Sequence, residues 1–264
     1  MKKSKNNVPI IHSHLLSTVN HGFFTREGGV SKGVFDSLNC GKVDQDDKKN
    51  IQKNRDIVKE AMELSNLPLL LVRQVHGAKV VVVDKPWKLE DSPEADAMVT
   101  QNPDCILGVI TADCVPILLH DPVSKTVAVV HSGWKGALSG VVQSTVKAMQ
   151  KLGAKPEDIL AVMGPCVTQQ SYEVSKEFHK EFIDKDSDFD KYFEEQLSPE
   201  GIYFDLPRFV EDRLIDSGIK EIERMAYDTY DNPDLFFSCR RATHLKEDSF
   251  GVQISVISLQ HMEL

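Results

Sequence analysis

The apolar positions of the chain fall into two rhythms. Continuous runs at LLLVRQV (69–75), KVVVV (79–83), CILGVI (105–110), TVAVVH (126–131) and ILAVMG (159–164) read as strands, and the runs at 105–110 and 126–131 suit strands buried on both faces. HGFFT (21–25) reads as a short strand entering the glycine-bearing turn REGGVSKG, and GVQISVISL (251–259) as a closing strand. Between them lie helical spacings. Over 46–64, Ile51, Val58, Ala61 and Met62 share a face, and Asp46 or Asp47 can cap it. Over 137–152, Val141, Val142, Thr145, Ala148, Met149 and Leu152 do the same, with Gly153 as the C-terminal stop. Shorter helices are expected at about 175–184 and 207–217, the second opened by Asp205 and Pro207 and ended by Gly218.

Strand, helix and strand following one another around residue 140 predict an α/β fold with a right-handed crossover. No repeat, low-complexity tract or linker divides the chain. The expectation is a short N-terminal segment (1–20) and a single catalytic domain (21–264) with a mixed sheet flanked by helices. His12 and His14 sit in that segment and read as part of a solvated tail. Residues 84–95 look like a surface loop, and the acidic stretch 184–196 like a lid or an exposed excursion.

Composition narrows the function. The 264 residues carry a net charge of −9 with no dense Lys/Arg cluster, which argues against a nucleic-acid partner. No run reaches the roughly 20 apolar residues of a spanning helix, and no apolar stretch follows the basic start. A cytoplasmic protein without a membrane role is expected. The five cysteines are widely spaced and odd in number, so a disulfide framework is not.

Candidate chemistry is positional rather than compact. The chain has no C-x-x-C pair and no H-E-x-x-H. His76 lies in a turn whose Gly77 can take a positive φ, Cys114 follows an apolar run, and His131 ends a strand before SGWKG. Three strand ends of this kind can bring two imidazoles and a thiol to one ion, a donor set that suits zinc with one open position. The same residues read equally as core groups, or as a Cys114–His131 nucleophile pair. Arg26 in TREGGVSKG fits an anion clamp or a plain turn. Lys135 and Trp134 fit a pocket wall or ordinary packing, and Cys166 a core thiol.

Resemblance adds what spacing leaves open. GFFTREGGVSKGVFDSLNCG, RQVHG, EADAMVT, TADCVPILLHD, VAVVHSGWKG, MGPC and FDL follow one another in an order that resembles the YfiH family, also called the laccase-domain or polyphenol-oxidase family, from about residue 21 to the end. The resemblance implies a one-domain α/β fold and a zinc site at His76, Cys114 and His131. It implies purine nucleoside phosphorylase activity on adenosine, inosine and methylthioadenosine with phosphate, together with adenosine deamination. It also implies that Arg26 and Asn39 belong to the pocket, so Arg26, Asn39, Cys114 and His131 are the expected catalytic residues, with Lys135 a further substrate contact. Arg26, aided by the Gly28–Gly29 turn, is the expected phosphate holder. One departure stands out: Ser238-Cys239 precedes Arg240 and Arg241 where the family has an aromatic residue, and ATHLKEDSFG lacks the family's following T-G-R. Three alternatives accompany this reading: a cysteine hydrolase or amidase using Cys114 and His131, a copper-dependent polyphenol oxidase with Cu2+ in place of Zn2+, and a zinc-stabilised binding module.

Overall fold

In the computed structural model, residues 2–3, 8–41, 46–194 and 201–259 are described. Two six-stranded sheets and one three-stranded sheet replace the single sheet expected, within the same mixed α/β class. The first sheet runs in the order Lys2–Lys3, Pro9–Ile11, Asn20–Phe24, Gln253–Ser258, Ile106–Thr111, Leu69–Leu70. The second runs Glu221–Arg224, Leu160–Met163, Val115–Asp121, Thr126–Ser132, Ala97–Thr100, Val80–Val82.

Side-chain alternation along these strands sorts the core into layers. One face of the second sheet sends Val99, Ile117, Ala128 and Met163 against the helices Val141–Lys151 and Leu206–Asp216. Its other face sends Met98, Leu118, Val129 and Val162 against Leu107, Val109, Phe23 and Ile257 of the first sheet. The far side of the first sheet, with Phe24, Ile106 and Val256, covers Val58 and Met62 at the helix Lys48–Ala61. The result is helix, sheet, sheet, helix. Every residue of Val115–Asp121 and Thr126–Ser132 is buried, as continuous apolar runs demand.

Several expected elements shorten or split. Asp47 caps the first helix through Lys49 N. The helix expected over 137–152 starts at Trp134 and breaks at Gly140, whose φ of +88° is left-handed, so two helices result. Residues 69–75 keep strand pairing only at Leu69–Leu70, with an isolated bridge from Arg73 to Glu94. Residues 8–20 are no tail: Pro9–Ile11 is a strand, and Ser13 and Leu16 are buried. Of the acidic stretch, 184–194 is pinned by Phe189, the buried Tyr192 and Phe193 on an aromatic cluster with Phe182, Phe204 and Phe209. Residues 195–196 lie outside the described residues. No helix among the described residues is long and apolar enough to cross a membrane.

Candidate metal centre and its cavity

The site forms where the two large sheets exchange their chain. Ile106–Thr111 belongs to the first sheet and Val115–Asp121 to the second, so residues 112–114 carry the backbone across. Cys114 therefore stands immediately before its second-sheet strand. That strand is antiparallel to Thr126–Ser132, with Pro116 opposite His131. Antiparallel pairing thus sets the start of one strand beside the end of the next. Ala97 opposite Val130 brings Asp96 to the same edge, and His131 N donates to Asp96 O at 2.7 Å. The convergence expected from three strand carboxyl ends arises instead from alternating strand direction.

His76 joins from the loop between Leu70 and Val80. Its own φ is +59°, so the left-handed residue of the His-Gly turn is the histidine and not Gly77. Asp96 holds this strained turn in place. Its carboxylate accepts from His76 N at 2.9 Å and from Gly77 N at 2.7 Å. The same carboxylate accepts from His131 Nδ1 at 2.8 Å. That bond fixes the His131 tautomer and leaves Nε2 with its lone pair facing the cluster. Burial pushes Asp96 up, but the His131 ring and the turn N–H groups outweigh it and hold the carboxyl below its ordinary range.

The ligand atoms of His76, Cys114 and His131 all lie within 4.8 Å of one another. Cys114 Sγ is 4.0 Å from His76 Nε2, and the two rings meet edge to face at 4.7 Å. Among the described residues this is the one group of His, Cys, Asp and Glu side chains arranged to hold a metal ion. His76 is exposed to the cavity, yet partial desolvation, the nearby His131 and Lys135 lower it, which favours the neutral imidazole that ligates metals. Burial and Asp113 raise the Cys114 thiol, so a cation is needed to make it a thiolate. Gly133 keeps the space clear: a Cβ there would stand 2.9 Å from both Cys114 Sγ and His76 Cδ2. The glycine of SGWKG and the donor set both fit a single soft or borderline metal ion.

The cluster opens on a cavity of about 590 Å³, walled by Ile110, Asp113, Trp134, Tyr172, Cys239 and Arg240 among others. Asp113 has its carboxylate engaged by the fold. It is buried, and its carboxylate accepts from Thr229 Oγ1 at 2.7 Å, Ser238 Oγ at 3.0 Å and Arg240 N at 2.7 Å. Burial raises its pKa against those bonds. Burial likewise raises Tyr172, whose phenol keeps its proton.

The other expected site residues lie apart. Arg26 lines a separate groove with Arg241, Glu247 and Phe237, which meets the cavity only through Phe250. Its Nε donates to Asp36 O at 2.7 Å, its Nη1 donates to Pro233 O at 3.0 Å, and it lies 4.4 Å over the Phe237 ring. The Gly28–Gly29 turn offers no open donor at Gly29, whose N–H donates to Ser37 Oγ at 3.0 Å. Asn39 is fully buried. Its Oδ1 accepts from Gly41 N and Val252 N, and its Nδ2 donates to Asp46 at 2.7 Å, so its amide is engaged within the fold, behind the wall residue Val252. Lys135 is exposed, with Nζ 5.2 Å from the Trp134 ring. Asp96, Tyr172 and Arg240 were not among the expected site residues. The sequence signal for Asp96 is an acid placed directly before a buried strand, where only engaged charges are tolerated.

The family described as multi-copper polyphenol oxidoreductase laccase matches residues 20–260. The purine nucleoside phosphorylase of Rickettsia prowazekii is 34% identical over 82% of this chain and 92% of its own. The purine nucleoside phosphorylase YfiH of Shigella flexneri is 34% identical over 82% and 86%. The crystal structure of Bacillus licheniformis YfiH superposes with a TM-score of 0.86 at 28% identity, covering 98% of this chain and 97% of that one.

Proposed function

This chain belongs to the multi-copper polyphenol oxidoreductase laccase family, and from that premise we propose that it is a zinc-dependent purine nucleoside phosphorylase that also deaminates adenosine. The observation that carries the reading is the His76–Cys114–His131 group on the wall of a cavity large enough for a nucleoside. The names of the relatives supply purine nucleosides and phosphate as substrates.

Two imidazoles and a thiolate form a three-residue set with one position left over, the pattern of a catalytic zinc site. Bound there, zinc supplies Lewis acidity and a water of lowered pKa. The chain's own groups do the rest. Asp96 orients His131 and clamps the His76 turn. Ile110, Trp134 and Val252 give a purine an apolar wall. In phosphorolysis a phosphate oxygen bonds to C1′ while the C1′–N9 bond breaks, and the purine leaves with a proton. In deamination water adds at C6 and ammonia departs. The five cysteines are all unpaired, which suits a reducing, cytoplasmic setting.

A multi-copper centre needs several ligand groups, and the described residues hold one. A cysteine hydrolase needs a thiol with a depressed pKa, and burial drives Cys114 the other way. The deciding experiment is product analysis with adenosine and inosine, with and without phosphate, on the wild type, Cys114→Ala and His131→Ala. Ribose 1-phosphate is expected from the wild type alone. Its formation by both variants would refute the site.

A further inference from the structure

Phosphorolysis requires an anion beside the sugar, and Arg26 faces another groove. The cavity has its own cation. Arg240 lines the cavity wall and also an outer recess that opens between Trp134, Tyr172 and Phe178. Among the described residues, its guanidinium has no hydrogen bond and no ion pair; only its backbone N is engaged, on Asp113. Glu173 also lines the outer recess, but it is exposed and forms no ion pair with Arg240.

The guanidinium has an aromatic neighbour. It lies 5.2 Å over the Tyr172 ring. That ring packs against Phe178 and Phe204, and its backbone accepts from Phe204 N at 3.0 Å. The base of Arg240 is tied to Asp113, the residue before the Cys114 ligand. Tyr172 lines the same cavity, and its hydroxyl has no protein acceptor among the described residues. A half-buried planar cation and a phenol donor, neither with a protein acceptor among the described residues, make a pair of donors suited to an oxyanion.

We propose that Arg240 and Tyr172 form the oxyanion subsite that binds inorganic phosphate beside the metal group. The assignment rests on the phosphorylase reading above and gives that reading its second substrate. The guanidinium fork presents two parallel N–H groups to two phosphate oxygens, and the phenol donates to a third. The remaining oxygen of hydrogen phosphate forms the new bond to C1′. The electron pair of the broken C1′–N9 bond passes to the purine, and the proton given up by hydrogen phosphate balances the one the purine gains.

The test uses the full chain loaded with zinc. Inorganic phosphate is titrated calorimetrically, with and without saturating inosine, and the phosphate KM is measured separately from the inosine KM. Arg240→Gln is expected to weaken phosphate binding at least tenfold, since hydrogen bonds to charged groups carry about 1.5–3 kcal/mol each. Tyr172→Phe keeps the stack and loses one donor, so a smaller, several-fold loss is expected. Zinc content should not change in either. If Arg240→Gln fails to fold, Arg240→Lys carries the test: it keeps the charge, loses the fork and should raise the phosphate KM several-fold. Phosphate binding by Arg240→Gln equal to wild type would overturn the subsite, as would a wild type that never binds phosphate. Ribose 1-phosphate formation with a phosphate KM indifferent to Arg240 sinks the subsite and spares the phosphorylase reading. Arg240-dependent phosphate binding without ribose 1-phosphate does the reverse.

Discussion

Arg26 and Arg240 are the same side chain, each laid on an aromatic ring, in opposite hydrogen-bonding states. Arg26 sits 4.4 Å over Phe237 and gives its Nε and Nη1 donors to the carbonyls of Asp36 and Pro233. Arg240 sits 5.2 Å over Tyr172, its guanidinium unengaged among the described residues. The first joins two loops, and the second waits on a cavity wall. A motif alone cannot separate these cases, because the turn that carries Arg26 looks like an anion clamp. Accounting for each donor does separate them. The same distinction divides the histidines: His131 has one nitrogen engaged by Asp96 and one left for a ligand, whereas both nitrogens of His21 are engaged within the fold.

The strongest way to break the comparison is at the metal group. Cys114→Ala removes an open ligand, so bound zinc after dialysis is expected to fall to background and nucleoside turnover with it. Metal retained at the wild-type stoichiometry would show that the three open donors do not act together. Asp96→Asn is the subtler version. It leaves all three ligands but loses the carboxylate that orients His131 and clamps His76. Replacing such outer partners costs about 10–100-fold in metal affinity, and competition with a chelator measures it.

Next in size is Arg26→Gln, which sharpens the contrast with Arg240. Removing an engaged donor loses two exposed hydrogen bonds, each worth about 0.5–1.5 kcal/mol net. A loss of about 1–3 kcal/mol is expected, or roughly 2–4 °C in Tm per kcal/mol for a chain of this size. Phosphate affinity should move less than about twofold, well inside the effect of a lost charged hydrogen bond. Should Arg26→Gln lower phosphate affinity as far as Arg240→Gln, the division between engaged and open arginines fails.

How much of this was legible in the sequence follows the same line. Local pattern carried well: Thr126–Ser132, Ile106–Thr111 and the Asp47-capped helix appear where their apolar runs and capping residue predict. Val115–Asp121 does not read as a strand, because Pro116, His120 and Asp121 interrupt its apolar run, yet all seven residues are buried. A second sheet was invisible for a physical reason. Nothing local marks residues 112–114 as the point where the backbone leaves one sheet for another. Position at strand ends makes the three ligands candidates and resemblance selects them, but the antiparallel register that gathers them is a long-range property. Asp96 illustrates the remainder: its importance lies in four N–H groups from positions 19 to 35 residues away, and it reads locally as one acid among forty.

The smallest expected effect concerns His21 and tests the engaged state by pH. Its Nε2 accepts from Ser13 N at 2.9 Å, and its Nδ1 donates to Val19 O at 3.1 Å. That pairing requires the neutral ring. Burial, opposed in part by the bond to Val19, lowers its pKa below the ordinary 6.5. The sign follows from proton counting. Above pH 6.5 neither the folded nor the unfolded chain protonates this ring, so the contribution is complete. As the pH falls below 6.5, the unfolded chain takes up a proton that the fold refuses, and stability declines until the lowered folded pKa is passed. His21→Gln removes the titration, while the metal ligands titrate alike in both proteins and cancel in the difference. The Tm gap between wild type and His21→Gln should therefore be widest near pH 8 and narrow toward pH 5.5. A gap that stays constant or widens on acidification would show that the ring carries a proton in the fold. One of its two hydrogen bonds would then have to be different.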